Sequence, residues 1–290
     1  MTARKIDGTA VASQVYSAVA DRVKILAATG IRPGLGAIHV GDNPASAVYL
    51  RNKVRACATA GLHSEVHRLP ADCSQQAVLE TIERLNADPA IHGILVQLPL
   101  PAQLDGDRIT QTIHPDKDVD GFNWRNLGAL LAGRTLFEPC TPRGIVALLD
   151  HAGVPIEGGH AVIVGRSAIV GKPLALLLLA RGATVTACHT KTRNLARYTG
   201  MADILVAAAG RPQLISAPMI KPGAAVIDVG INRLDTGKLA GDVDFAGVNE
   251  VAGWITPVPG GVGPMTVAML IDNTLRAAER LAAALTPFSR

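Results

Sequence analysis

Three segments of this 290-residue chain carry residue types and spacings suited to chemistry. Ser46, Tyr49 and Lys53 lie three and four apart, which puts them on one face of a helix. A lysine so placed could exchange protons with a bound molecule; the same spacing fits a solvated lysine whose stem is covered by a tyrosine. Ile94–Pro101 places a lone polar residue, Gln97, at the end of an apolar run. Ligands of open α/β sheets bind at the carboxyl ends of such strands. His114–Gly121 is an acidic loop that contains Asp116, Asp118 and Asp120. Pro257–Thr266 is a glycine-proline loop before the last helix, and its plain reading is a rigid turn capped by Thr266.

A fourth segment points to a nucleotide. After an apolar run at His160–Val164 the chain reads Gly165-Arg166-Ser167-Ala168-Ile169-Val170-Gly171-Lys172-Pro173. A strand that ends in glycine and passes into a helix offers free backbone N–H groups and a helix dipole to a phosphate. The spacing differs from GxGxxG, so it is the strand–turn–helix context that favours a nicotinamide dinucleotide over an ordinary connection. The next strand, Thr184–Ala187, is followed by Cys188-His189-Thr190-Lys191-Thr192-Arg193. It lacks the acid that holds ribose hydroxyls in NAD-binding folds. Arg166, Lys191 and Arg193 could instead meet a 2′-phosphate, so the expected cofactor is NADP.

The elements that must position these residues follow from periodicity. Helices are expected at Asp7–Thr29, from Pro44 to about Ala60, at Ser74–Asn86, Pro142–Ala152, Lys172–Ala180, Leu195–Thr199 and Thr266–Leu285. Asn43 is the expected N-cap ahead of Pro44. Strands are expected at Leu35–Val40, Ser64–Arg68, Ile91–Gln97, His160–Val164, Thr184–Ala187, Ile204–Ala207 and Ala225–Val229, with a short one at Ile255–Thr256. Helix and strand alternate, so the fold class is α/β with parallel sheets.

Composition narrows the class of function. The chain is 48% hydrophobic but only 3% aromatic, so Val, Ile, Leu and Ala must fill its core. The net charge of +4 comes from interleaved signs, and with few aromatics to stack on bases no nucleic-acid partner is expected. The longest apolar run, Leu174–Ala180, is too short for a membrane span, and no secretory signal is visible. Cys57, Cys73, Cys140 and Cys188 form no CxxC pair and read as reduced structural thiols of a cytoplasmic protein. His63 and His67 fall in an expected strand, so no metal site is expected.

Taken together, these segments resemble the bifunctional methylenetetrahydrofolate dehydrogenase/cyclohydrolase family, the FolD type. The resemblance runs from the first helix to about Arg276. It rests, in order, on Tyr49–Lys53, Val96–Pro99, Lys117–Gly121, Gly165–Ser167, Asp228–Asn232, Gly241–Asp244 and the Pro257–Thr266 loop. It implies an N-terminal α/β catalytic domain over residues 1–140, joined by the C-terminal helix at about 271–290. A Rossmann-type NADP-binding domain would cover 141–270, with the active-site cleft between the two. It implies oxidation of 5,10-methylenetetrahydrofolate with NADP, hydrolysis of the methenyl product to 10-formyltetrahydrofolate, and a homodimer. By the same resemblance Lys53 is the catalytic lysine, Gln97 tunes it, Tyr49 packs on the folate and Asp120 binds the pterin. Val96, Leu98 and the loop residues Pro259, Gly260, Gly261, Val262 and Gly263 contact substrate. Gly165, Arg166, Ser167, Thr190 and Ile231 contact the cofactor; at Thr190 the family often has serine. The competing readings are a dehydrogenase-only member, against which Lys53, Gln97 and Asp120 argue; a dinucleotide sensor without turnover, which would be expected to lack Lys53 or Gln97; and another small-substrate dehydrogenase of the same fold, against which the Tyr49–Lys53 and Asp120 segments argue.

Overall fold

The computed structural model describes residues 2–234 and 236–285. In chain order its elements begin with β1 (Arg4–Lys5), α1 (Gly8–Ala27), β2 (Gly34–Val40), α2 (Pro44–Ala60), β3 (His63–Leu69), α3 (Gln75–Ala87) and β4 (Gly93–Val96). There follow α4 (Gly106–Thr112), α5 (Trp124–Leu131), α6 (Cys140–His151), β5 (His160–Val164), α7 (Gly171–Ala180), β6 (Thr184–Cys188), α8 (Leu195–Thr199) and β7 (Ile204–Ala207). The rest are β8 (Ala225–Asp228), β9 (Asn232–Arg233), β10 (Leu239–Ala240), α9 (Phe245–Asn249), β11 (Trp254–Ile255) and α10 (Val262–Leu285). Two compact units result. One joins the residues up to Ala12 with Thr141–Thr266; the other joins Ser13–Cys140 with the residues from Val267 on.

The unit that contains Ser13–Cys140 is built on a three-stranded parallel sheet in the order β3-β2-β4. All seven residues of the central strand β2 are buried, as expected for a parallel strand covered on both faces. Ile38, Val40, Ile94 and Val96 pack with Val78, Ile82 and Leu85 of α3 on one face. Local signals set the helix ends. Asn43 accepts the Ser46 N–H through its Oδ1 (3.2 Å) with Pro44 in the first turn, and Ser74 accepts the Ala77 N–H at 3.2 Å. Within this unit α10 is tied to α1, because Arg22 meets Asp272 (2.7 Å) and both carboxylate oxygens of Glu279. The sequence expectation carried the tail to 290; residues 286–290 lie outside the described residues.

The other unit has a six-stranded, wholly parallel sheet in the order β1-β11-β8-β7-β5-β6, beside a β9–β10 ribbon. The crossover β5–α7–β6 is a βαβ unit, the supersecondary basis of dinucleotide-binding folds. The edge strand β1 pairs Arg4 with Trp254 and Lys5 with Ile255. The residues before α1 therefore serve this sheet, whereas the sequence reading placed them with the first domain. Two ends also shift. The strand expected at Ile91–Gln97 is confined to Gly93–Val96, and the last helix starts at Val262 rather than Thr266, so Thr266 bonds the Val262 carbonyl from inside the helix (3.3 Å).

Asn273, fully buried in α10, donates to the carbonyls of Val119 (2.9 Å) and Glu138 (3.2 Å). Asn273→Ala leaves the buried Val119 carbonyl and the partly buried Glu138 carbonyl without that donor. It is expected to destabilise this unit by about 1–3 kcal/mol, read as a lower urea midpoint; an unchanged midpoint would contradict the assignment.

Candidate active site

In the unit built on β2, the structure brings Lys53 and Gln97 together. Lys53 projects from α2, half-buried, and its Nζ donates to Gln97 Oε1 at 3.2 Å. Gln97 follows the last residue of β4 and is buried. Its Nε2 donates to the Leu98 carbonyl at 2.7 Å, so the amide is oriented with its oxygen toward the lysine. Tyr49 stands one turn before Lys53, partly buried, and burial raises its phenol pKa, which keeps the O–H as a donor. Val96 is different: its side chain belongs to the core with α3, facing away from Gln97 because successive strand residues alternate faces.

Asp120 completes this group. Burial pushes its carboxyl up, while the positive charge of Lys53 and a hydrogen bond from the Cys140 thiol pull it down, and burial prevails. The preceding residue, Val119, is held through its carbonyl by Cys140 Sγ at 3.2 Å and by Asn273. The loop itself is closed by Asp118, which sequence reasoning did not single out from its acidic neighbours. Asp118 is buried and accepts from Phe122 N (3.2 Å), Asn123 N (2.8 Å) and Asn126 Nδ2 (2.8 Å). The acidic appearance of the loop thus conceals two roles: Asp118 shapes it and Asp120 is presented by it.

The other unit holds the remaining predicted residues. Gly165 has φ +136°, and a methyl group there would overlap the carbonyl oxygen of Ala208. One at Gly171 would overlap the Gly165 carbonyl. Ser167 Oγ accepts from Val170 N (3.2 Å) and Gly171 N (3.4 Å) at the start of α7. Arg166 is exposed in this turn. Thr190, Lys191 and Arg193 are exposed after the neighbouring strand β6, whose Cys188 pairs with Val164 of β5. The basic side chains therefore leave two adjacent strand ends. Ile231 is 45% exposed after β8 and lies beside Gly263. The Pro259–Gly263 segment is anchored to the start of α1: Thr9 N donates to the Gly260 carbonyl (3.2 Å), and a methyl at Gly8 would overlap the Gly261 oxygen.

Two buried carboxylates between these loops were not read as functional from sequence. Asp228, at the end of β8, accepts from Gly230 N (2.9 Å), Asp242 N (2.9 Å) and Val243 N (3.0 Å). Asp242 in turn accepts from Ala209 N (2.6 Å), Gly210 N (2.8 Å), Arg211 N (2.9 Å) and Asn232 Nδ2 (2.9 Å). A methyl at Gly230 would overlap Asp242, and one at Gly241 would overlap Asp228. The available signal was an aspartate within two residues of a glycine in each of two short segments, Asp228–Gly230 and Gly241–Asp242.

Among the described residues, no group of three or more His, Cys, Asp or Glu side chains could hold a metal ion. No helix there is long and apolar enough to cross a membrane. His63 and His67 both lie in β3, and His67 Nε2 contacts Glu65 at 2.7 Å.

Sheet order, the glycine turn and the Lys53–Gln97 pair define a two-unit α/β protein with a dinucleotide-binding fold in one unit and a polar candidate site in the other. Comparison with known proteins gives the family. Residues 6–120 match the tetrahydrofolate dehydrogenase/cyclohydrolase catalytic domain, and residues 139–282 match the NAD(P)-binding domain of the same family. The chain belongs to the tetrahydrofolate dehydrogenase/cyclohydrolase family. It is 60% identical over 280 residues to the bifunctional protein FolD of Bordetella avium, covering 97% of this chain and 99% of that one. The FolD methylenetetrahydrofolate dehydrogenase/cyclohydrolase of Campylobacter jejuni superposes with a TM-score of 0.93 at 46% identity, covering 95% of this chain and 98% of that one. The Trypanosoma brucei enzyme, solved with NADP cofactor and inhibitor, gives a TM-score of 0.94 at 40% identity, with 97% and 99% covered.

Burial pushes the Asp228 carboxyl up from 3.8 to about 6, against the pull of its backbone donors. A folded value above the unfolded one means that protonation favours the folded state. The stabilising contribution is full below about pH 4 and is lost as pH rises through about 6. The unfolding free energy of the wild type relative to Asp228→Asn should fall by up to about 3 kcal/mol across that window, measured by urea titration at a series of pH values. A flat difference would mean that burial does not dominate this carboxyl.

Proposed function

We propose that this chain oxidises 5,10-methylenetetrahydrofolate to 5,10-methenyltetrahydrofolate with NADP and then hydrolyses the product to 10-formyltetrahydrofolate, in one-carbon metabolism. The observation that carries this reading is the Lys53–Gln97 hydrogen bond beside Asp120, in a member of this family.

The residues of the glycine turn fit NADP. The dipole at the start of α7 suits the pyrophosphate, with Gly165 shaping the turn and Ser167 holding the first N–H groups of the helix. Arg166, with Lys191 and Arg193 near Thr190, suits a 2′-phosphate, and no acid stands between Cys188 and Arg193 to prefer a free ribose hydroxyl. Ile231 offers an exposed apolar contact. When bound, NADP supplies the hydride acceptor. Loss of hydride leaves a cation delocalised between two nitrogens, so this step needs no base, and the chain contributes by holding the reacting carbons close.

Hydrolysis makes a different demand. Water adds to the methenyl carbon and gives up one proton; the hydroxyl of the adduct then loses its proton to form the C=O, and the leaving nitrogen gains one as the ring C–N bond opens. Lys53 Nζ is the group that moves the proton, oriented by Gln97. Tyr49 packs on the folate, and Asp120 accepts from the amino and ring N–H groups of the pterin. Val96 and Leu98 flank Gln97. With the Val96 side chain in the core, Val96 contributes through its backbone. Pro259, Gly260, Gly261, Val262 and Gly263 form a substrate-contacting loop. A dehydrogenase-only role leaves Lys53 and Gln97 without a task.

The family resemblance also supports a homodimer formed through the cofactor domain, and four buried cysteine thiols fit a cytoplasmic setting. Domain limits of 1–140, with the C-terminal helix, and 141–270 belong to the same reading, except that the residues up to Ala12 go with the second.

With methylenetetrahydrofolate and NADP, purified protein should form NADPH while a methenyl absorbance rises and decays; no NADPH formation sinks the assignment. Lys53→Met should lower cyclohydrolase activity by about 10²-fold or more while NADP affinity stays within about twofold. An equal loss of cofactor affinity would make Lys53 structural.

A further inference from the structure

The Asp228–Asp242 pair lies in the path from the glycine turn to Ile231. Gly165 packs against the Ala208 carbonyl without room for a side chain. The next three N–H groups, of Ala209, Gly210 and Arg211, all point at the Asp242 carboxylate. Asp242 also receives Asn232, the residue after Ile231. Its own N–H goes to Asp228, which receives Gly230 on the other side of Ile231. The strands that these loops leave, β5, β7 and β8, are adjacent in the sheet. Backbone pairing joins these loops only beyond Arg211, where Gln213 N and Ile215 N donate to the Gly241 and Asp242 carbonyls; nearer the strand ends, side-chain acceptors carry what strand pairing would otherwise supply.

We infer that Asp228 and Asp242 are positioning residues for the dehydrogenase step: a buried double-carboxylate clasp that sets the Ala208–Arg211 and Val229–Asn232 loops against the glycine turn and fixes Ile231 toward the cofactor. The inference rests on the reading of Gly165 and Ile231 as cofactor contacts. Both glycines that approach the clasp, Gly230 and Gly241, are needed because a Cβ at either would displace a carboxylate. The donors converge on acceptor-only groups. At pH values above about 6 Asp228 is ionised and can take all three of its donors. Every carboxylate oxygen of the pair already accepts at least one N–H of the loops, so the pair acts through the loops.

The chemistry of hydrolysis lies with Lys53 and Gln97 in the other unit, and this makes the inference testable. Asp242→Ala strands four donors. It should raise the KM for NADP by at least about tenfold while methenyltetrahydrofolate hydrolysis, which uses no NADP, stays within about twofold of wild type. Asn232→Ala removes one donor at a partly buried position and decides the matter if Asp242→Ala does not fold; it should raise the same KM about threefold with hydrolysis unchanged. NADP binding measured by calorimetry, without turnover, should weaken in parallel. An unchanged KM and affinity in the folded variants overturns the inference. So does a parallel fall of both activities, which marks a merely structural role. A wild type that binds NADP but makes no NADPH fails the functional assignment instead, and calorimetry on the variants still decides the clasp.

Discussion

Parallel strands end abruptly, and the loops that leave their carboxyl ends must find hydrogen-bond partners outside the ladder. In both units the solution is a buried aspartate that collects several backbone N–H groups. Asp118 closes the loop after β4, while Asp228 and Asp242 join the loops after β7 and β8. One carboxylate can accept from three or four donors, which no neutral side chain of that size can match. The residues proposed to touch ligands, Asp120 and Ile231, are each within three residues of such a carboxylate. Their placement depends on it.

This way of holding loops is costly as well as rigid. Desolvation raises the pKa of Asp118 and of Asp228 even though each is surrounded by donors, so burial outweighs the hydrogen bonds in both. Truncating such a group removes an acceptor and strands several donors at once, and the expected effect is larger than that of losing one hydrogen bond. Asp120 has a different environment. It keeps some exposure and has a lysine and a thiol as partners, with no ring of backbone donors. A carboxylate with spare acceptor capacity beside a cation suits a ligand that brings its own N–H groups.

Long periodic elements were legible in the sequence because burial on one face imposes a spacing. The apolar repeat of α1 follows from it, the largely apolar strands β5, β7 and β8 follow from burial on both faces, and the Asn43–Pro44 start of α2 is a local capping signal. Gln97 was legible for the opposite reason, as a polar interruption of an apolar run. Short elements carry no period. Strand β1 has two residues and is defined only by its pairing with Trp254–Ile255, at the far end of the chain. Helices α4 and α5 lie in stretches too short or too polar for the pattern to stand out. Asp118, Asp228 and Asp242 were hidden because aspartate near glycine ordinarily marks an exposed turn. Their burial is a property of the loops they organise and appears only once the strands are placed.

The two steps of the proposed reaction differ in what they ask of the chain, and the residues proposed for them lie in different units. Hydride transfer requires distance and orientation, supplied by glycines, backbone donors and loops fixed by buried charge. Hydrolysis requires a group that moves a proton, and that group must keep some freedom. Lys53 is oriented by the neutral amide of Gln97, and its charge pulls down the pKa of the neighbouring Asp120 carboxyl. A carboxylate in place of Gln97 would lock the lysine into a tight ion pair. The amide fixes its direction while leaving its charge to respond to the ligand. Rigidity is thus concentrated in the backbone of the loops, and the lysine proposed for proton transfer remains half-buried and held by a single neutral partner.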